Sequence, residues 1–408
     1  MKIITRYTLR QMVEPFFLAL LAFTSVLLAD KVFILTKYFV EKGVNPLYMV
    51  EMLFYYSPAA LVLTVPMAFL VGVLTAFGRM AADNEIIAMK TAGVGMHRLI
   101  VPVIIVSFVL SVFMVFFMDF SLPEGNKAYT KLYVEVRRKH PALVLEPDTI
   151  MEELSGEGKK WYFKSMDAKT GELKDIRIWE QEANTPKLIT AGEGELNIRD
   201  EYSTLSLHNG TIYQADKKEP LKNYAVGKFA GDEVFLDVTK SLNRDRRTAL
   251  DPRNMSMKEV RDGFRKFEEE LKSPATRPDV KEYIKDYLIS EYLVEFYKKL
   301  AIPFASLAFG VIGVPLGLIV RRGGRMVGLG VGVGLIIIYY VLLTAGERLA
   351  RANLYPPFLG AWTPDFLVIS AGIMLIIRTV REAPIRSSRL LTKLFPPERG
   401  HETDAGMG

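Results

Sequence analysis

The chain has 408 residues, 50% of them hydrophobic and 24% charged, with a formal net charge of +6 and no cysteine. The lack of cysteine excludes disulfides, cysteine–zinc sites and a thiol nucleophile. The four histidines, His97, His140, His208 and His401, have no metal-ligand spacing. Residues 121–290 carry 30 Lys/Arg and 31 Asp/Glu, so the basic excess lies in the flanks, and no basic patch with interleaved aromatics points to nucleic acid.

In chain order, the first apolar run is Pro15 to Ala29, behind Lys2, Arg6 and Arg10. Its long basic lead and poor small-residue cleavage site predict an uncleaved span rather than a signal peptide, continuing past Asp30 and Lys31 to Leu35. The second span covers about Tyr55 to Gly78, with Pro58 and Pro66 expected to bend it. The third is Leu99 to Met118. A fourth helix is expected to enter near Asp279 and end at Val320, and the fifth span is Met326 to Gly346. The sixth is Phe366 to Ile377, started by Pro364 and flanked by Trp362 and Arg378 as interfacial anchors. The longer uncharged runs can each cross about 30 Å of hydrocarbon as a helix.

The expected organisation is spans one to three over 1–120, a β-rich extramembrane domain over 121–255, and a helical connector over 256–290. Spans four to six follow over 291–380, and a tail occupies 381–408. Basic residues cluster at the N-terminus, at Arg321, Arg322 and Arg325, and at Arg378, Arg381, Arg386, Arg389 and Lys393. With six spans all three clusters share one side, so the positive-inside rule puts both termini in the cytoplasm and the insert outside.

Within the insert, short alternating runs such as Lys160–Met166, Asp175–Trp179, Lys187–Ala191, Glu195–Ile198 and Ser203–Leu207 predict strands. Lys169-Thr-Gly171, Asp200-Glu201 and Asn209-Gly210 read as the turns between them, giving an antiparallel sandwich or roll. Ser256 with Glu259 three residues on predicts a capping box and a helix after it.

Three segments are candidates for function. Between spans two and three, a short helix at about 81–92 is expected, with Asp83 as its cap, Glu85 in its first turn and Gly93 as its stop. It would present Ile86, Ile87, Met89 and Lys90, either as a simple interfacial helix or as a docking helix for a cytoplasmic partner. Lys31 and Lys37, at the outer end of span one, either snorkel to the interface or face an anionic ligand, with Asp30 alongside. Gly328/Gly332 and Gly330/Gly334 in span five are Gly-x-x-x-Gly pairs, and Gly313/Gly317 is another in span four. Such residues serve static packing or a loosely held helix contact.

The run Asp83-Asn-Glu-Ile-Ile-Ala-Met-Lys-Thr-Ala-Gly93 resembles the coupling-helix signature of the LptF/LptG (YjgP/YjgQ) permeases of the lipopolysaccharide-exporting ABC transporter. Arg6-Tyr7, Glu295-Phe-Tyr-Lys-Lys-Leu-Ala-Ile-Pro303, Val314-Pro-Leu-Gly317 and Arg322-Gly-Gly-Arg325 resemble it too, as does the layout of three spans, an external β domain and three spans. The surroundings of Lys31 and the coupling segment are more similar to the LptF-type subunit.

The resemblance implies a bacterial inner-membrane protein of six transmembrane helices with an inserted periplasmic jellyroll. Its implied partners are an LptG-type paralogous permease, an LptB-type cytoplasmic ATPase dimer and LptC/LptA-type periplasmic components. It implies that Asp83, Glu85, Ile86, Ile87, Met89 and Lys90 couple to the ATPase, and that Lys31 and Lys37 meet lipopolysaccharide phosphates. It further implies that Gly328, Gly330, Gly332 and Gly334 pack at a lateral gate. No cofactor is expected in this chain: ATP would be bound by the partner, and Gly156-Glu-Gly-Lys-Lys160 lacks the spacing and the Ser/Thr of a Walker A motif. The alternatives are a subunit of another lipid or lipoprotein exporter, a structural anchor, or a membrane-embedded enzyme using Asp30, Asp119, Glu295 or His97.

Overall fold

A computed structural model of the chain describes residues 2–41, 44–139, 148–150, 159–167, 172–182, 185–198, 203–215, 224–236, 251–273, 281, 288–319 and 324–380. Among the described residues six helices are long and apolar enough to cross a membrane. They are α1 (Lys2–Glu41), α2 (Pro46–Ala82) and α4 (His97–Lys139), then α6 (Ile289–Ile319), α7 (Gly324–Arg351) and α8 (Pro357–Val380). Between α2 and α4 lies the short α3 (Glu85–Thr91), and α5 (Met257–Lys272) precedes α6.

The apolar runs understate the helices that contain them. The third apolar run ends at Met118, yet α4 continues through Pro123 to Lys139. The extension keeps apolar residues on one face: Leu132 and Val136 pack with Leu35, Val44 and Met52 from α1, the connection after it and α2. The sixth helix starts at Pro357, not at Pro364, which lies inside it. Pro364 leaves the Gly360 carbonyl without its helical donor. That carbonyl lies where α7 and α8 meet at Gly346 and Gly360, so closely that a side chain on either glycine would strike the other's backbone.

α6 occupies the middle of the bundle, packed against α2, α4 and α8. Ala305, Ala308 and Phe309 of α6 are fully buried in a core with Leu70, Tyr339 and Met114. Close approach depends on glycine. A Cβ on Gly317 would lie 2.8 Å from Phe77 Cβ and 3.2 Å from the Leu74 carbonyl, and one on Gly313 3.0 Å from Val73. The Gly313/Gly317 pair is therefore static packing of α6 on α2. On the other side of α2, Gly72 sits 3.1–3.3 Å from Met12 and Phe16 of α1 by the same measure.

Among the described residues the insert contributes one antiparallel sheet of five strands in meander order. These are β1 (Lys159–Met166), β2 (Glu172–Glu182), β3 (Thr185–Ile198), β4 (Ser203–Ala215) and β5 (Tyr224–Leu236). Alternation buries Trp161, Phe163, Ile176, Ile178, Ile189, Leu205 and Leu207 on one face. The strands are longer than the short runs suggested, the five runs falling in β1 to β4, and β5 was not among them. Lys187–Ala191 and Glu195–Ile198 belong to the one strand β3, and Asn209-Gly210 is not a turn but lies inside β4.

The reason is a crease. Asp175 and Asn209 are left-handed (φ 53° and 52°), and the pairing skips the level of Lys164, Asp175, Gly192, Asn209 and Ala230 in every ladder. Asn and Gly supply the same backbone freedom to a crease as to a turn. The turns expected at Lys169–Gly171 and Asp200-Glu201 lie outside the described residues.

Ser256 caps α5 as expected: its hydroxyl accepts from Glu259 N, and the Glu259 carboxylate accepts from Ser256 N at 2.7 Å. α5 is fastened to the membrane helices by Asp119, which accepts the Met257 N–H at 2.6 Å, and by a 2.7 Å Lys127–Glu259 ion pair. Asn126 also donates to Asn254, and Phe267 packs edge-on against Tyr292.

Candidate functional site

The loop between α2 and α4 folds into α3, one residue later than its sequence cap suggested. Asp83 does not cap it. Asp83 closes α2, its N–H donating to the Arg79 carbonyl and the Asn84 N–H to the Ala81 carbonyl, and Asn84 in left-handed conformation (φ 59°) turns the chain into α3 without a side-chain cap. At the far end Gly93 (φ 80°) donates to Lys90 and Val94 to Met89, the paired bonds of a Schellman stop. Glu85 stands in the first turn, where a carboxylate complements the helix dipole.

Of the side chains expected on the docking face, Ile86 faces inward: it is 6% exposed and packs with Met80, Met96 and Leu99. Met89 packs against the same cluster. Ile87, 45% exposed, is the apolar residue left facing out, with Lys90 and Glu85 partly exposed beside it. A seven-residue helix has barely two turns, so anchoring Ile86 and Met89 necessarily turns Ile87 outward.

Glu85 is engaged from another helix. The Tyr7 hydroxyl lies 2.8 Å and 3.0 Å from the two Glu85 carboxylate oxygens and donates to them. The resemblance had marked Arg6-Tyr7 and Glu85 separately; the fold joins them. The same helix, α1, carries Lys31 roughly 36 Å further along its axis. Lys31 Nζ lies 5.1 Å from the centroid of the Tyr56 ring on α2, a cation–π arrangement. Tyr56 meets Tyr129 of α4, which stacks on Tyr133. Lys31 is thus held in an aromatic cluster of three helices rather than extended along the bundle. Lys37 falls on α1, with its side chain outside the described residues.

The four glycines of α7 do not form one surface. Gly332 is buried, and a Cβ there would meet Leu74 of α2 at 2.8 Å. Gly330 and Gly334 face open space within 4 Å, and Gly328 is half-exposed. Only part of the stripe is free for a contact outside this chain.

The densest polar site among the described residues centres on Glu295, which the sequence marked without its partners. Glu295, 3% exposed, lies 2.5 Å from Arg351, 3.2 Å from Lys298 and 3.6 Å from Arg253. Arg351 also pairs with Glu347 (2.8 Å) and Glu291 (3.1 Å), and Lys298 with Glu347 (3.0 Å). The network ties the start of α6 to the end of α7 and to the turn before α5. Beside it, Lys299 is 1% exposed, and its ammonium has no hydrogen-bond partner among the described residues; Glu295, Asp119 and Glu259 supply its negative surroundings. Deeper in the bundle, buried Asp365 accepts from the Tyr339 hydroxyl at 3.1 Å.

These groups do not assemble a catalytic pocket. Glu295 is saturated by cations, Asp119 is occupied by the Met257 amide, and His97 begins α4 roughly 33 Å from Asp119 along that helix. The arrangement instead links an exposed short helix at one end of α1 to an aromatic-bound lysine near the other. No individually curated protein matches this chain. The family model of the lipopolysaccharide export system permease LptF/LptG matches residues 6–378. That match spans the six helices, α3 and the sheet alike, and the chain belongs to the LptF/LptG family of lipopolysaccharide export permeases.

Proposed function

We propose that this permease works as the LptF-type half of an inner-membrane export complex. Its termini and α3 face the cytoplasm, the sheet faces the periplasm, and ATP is hydrolysed by a separate LptB-type ATPase dimer docked on α3. The observation that carries the reading is α1 itself. One continuous helix touches the coupling segment through Tyr7–Glu85 and carries Lys31 at the other end. A carboxylate holding two oxygens toward one hydroxyl still has lone pairs for an arginine of the ATPase. Movement of α3 by the ATPase would then reach α1 directly.

At the outer end, Lys31 and Lys37 meet the phosphates of lipopolysaccharide. The Tyr56 ring holds the Lys31 ammonium by an interaction of about 0.5–2 kcal/mol. That is weak enough for a phosphate to take over, since charge-assisted hydrogen bonds are stronger. Gly330 and Gly334, each with open space where a side chain would stand, contribute the open contact with an LptG-type partner. The periplasmic insert, a jellyroll whose described part is the creased sheet, hands lipid to LptC/LptA-type components.

The test uses the assembled complex. Glu85→Ala should lower lipid-stimulated ATP hydrolysis or ATPase retention with the rest of the chain folded. Lys31→Glu with Lys37→Glu should lower lipopolysaccharide crosslinking, more than alanine at the same positions, and leave ATPase docking intact. Unchanged lipid occupancy in the double reversal would remove these lysines from the substrate path. A reporter at Gly210 reading cytoplasmic would overturn the orientation.

A further inference from the structure

Between α1 and α4, at the end of the bundle that carries α3, lies a groove of about 410 Å³. Ile4 and Leu9 of α1 and Val101, Pro102 and Ile105 of α4 line its length, and Arg98 and His97 stand at its mouth. No carboxylate lines it among the described residues. Val101 and Ile105 are 47% and 57% exposed, so nothing among the described residues covers them. The groove runs from the first turn of α4 about two turns along the helix.

We infer that this groove is a binding site for one acyl chain of an anionic glycerophospholipid, with the lipid phosphate held by the Arg98 guanidinium. Three features fit that occupant. The depth begins at a helix start and continues into a membrane span, as an acyl chain does below its head group. The mouth carries a cation, which pairs with phosphate in a charge-assisted hydrogen bond, and the positive end of the α4 dipole adds to it. The lining is apolar and the volume, about 410 Å³, suits a single chain and not the many chains of lipopolysaccharide.

The physics also predicts what selects the lipid. Bilayer tails are as apolar as these side chains, so seating a chain in the groove gains little over leaving it in the membrane. Selectivity must come from the head group at Arg98, and the groove sets only where that head group sits. It lies on the first helix of the coupling end, roughly 36 Å of helix from Lys31. It is therefore separate from the proposed substrate site, and its test does not depend on transport.

The experiment compares retention of phosphatidylglycerol and of phosphatidylcholine with the same chains, by native mass spectrometry of the purified complex. Wild type should retain phosphatidylglycerol preferentially. Arg98→Ala should lower that retention about tenfold, the loss of one charged hydrogen bond, and leave phosphatidylcholine unchanged, while Arg98→Lys keeps most of it. Val101→Trp, an exposed position that fills the groove without touching the core, should lower retention even with Arg98 intact. Equal retention of both lipids by wild type, or full phosphatidylglycerol retention in both Arg98→Ala and Val101→Trp, overturns the site. Displacement of phosphatidylglycerol by equimolar lipopolysaccharide overturns the choice of occupant.

Discussion

At the end of the bundle near the insert, Glu295, Lys298, Glu347 and Arg351 form a closed ionic network, and Asp119 and Lys127 fasten α5 to α4. At the other end, α3 is held by two inward side chains, a glycine stop and one hydroxyl–carboxylate contact from α1. Both ends join several helices, but they join them differently. The first centres on the buried Glu295, whose loss is costly to the cations around it, with the exposed Lys127–Glu259 pair at its edge. The second uses partly exposed groups whose loss or movement costs little. With α3 as the docking site proposed above, a rigid end near the insert and a compliant end at α3 is the distribution a coupled transporter needs, because local motion is drawn from regions of low local stability.

Removing Glu295 should produce the largest effect. Glu295→Ala removes the most buried anion of the network and leaves Arg351 and Lys298 to share Glu347, so the cost should reach at most about 3–5 kcal/mol, that of a broken buried pair. Thermal unfolding of the micelle-solubilised protein should drop strongly, and Glu295→Gln should recover part of the loss by keeping hydrogen-bond acceptance. A stability unchanged by Glu295→Ala would mean that this end is no clamp.

Next come the glycines, which sharpen the line between static and open packing. Gly317→Val drives methyl groups into backbone and Phe77 of α2, an overpacking cost of about 1–3 kcal/mol. A Cβ on Gly330 meets nothing within 4 Å, so Gly330→Val should change stability by no more than about 0.5 kcal/mol. If Gly330 faces a partner permease, the same variant should weaken co-purification of that partner while melting normally. Equal effects of the two variants on melting would erase the distinction.

The α5 fastening should respond to acid. Lys127, then the Ser256 amide, hold the Glu259 carboxyl below its ordinary value of 4.5. A carboxylate with a lowered folded pKa stabilises above its unfolded value, and that contribution is lost as the pH falls through the folded one. Hydrogen exchange of α5 should therefore rise below about pH 4.5, and Glu259→Gln should remove that step. The pair is more than two-fifths exposed on both sides, so the effect is small, about 0.2–1 kcal/mol. No acid-dependent change in α5 exchange would mean that the ion pair contributes nothing.

What the sequence displayed and what it hid follow from range. The spans were legible because hydrophobic runs are local, and so were the Ser256 capping box and the Gly93 stop. Their ends were not, because Leu132 and Val136 look amphipathic only once α2 supplies their partners. Asn209-Gly210 misled because a crease and a turn demand the same left-handed backbone. In the candidate site, Glu85 was visible by its place in a short helix, whereas Ile86 pointed inward because α3 must anchor itself on the core. The Glu295–Arg351 pair spans 56 residues and Tyr7–Glu85 spans 78; no spacing rule reaches that far. A charged pair in Glu295-x-x-Lys298 beside an arginine at the end of the next span was the available signal.

The smallest expected change in stability is at Tyr7, and it tests the compliant end most directly. Tyr7→Phe removes only the hydroxyl that reaches Glu85. Tyr7 is 38% exposed, so water replaces the lost donor, and the effect on melting should lie at or below the low end of about 0.5–1.5 kcal/mol for a hydrogen bond. If the contact relays motion between α3 and α1, lipid-stimulated ATP hydrolysis should fall while basal hydrolysis and ATPase retention stay near wild type. Glu85→Gln separates the two roles of that carboxylate. It still accepts from Tyr7 but loses its charge, so it should spare the relay and weaken docking on an arginine-bearing partner. Tyr7→Phe with normal stimulation, alongside Glu85→Ala with impaired docking, would leave Glu85 as a docking residue and remove α1 from the coupling path.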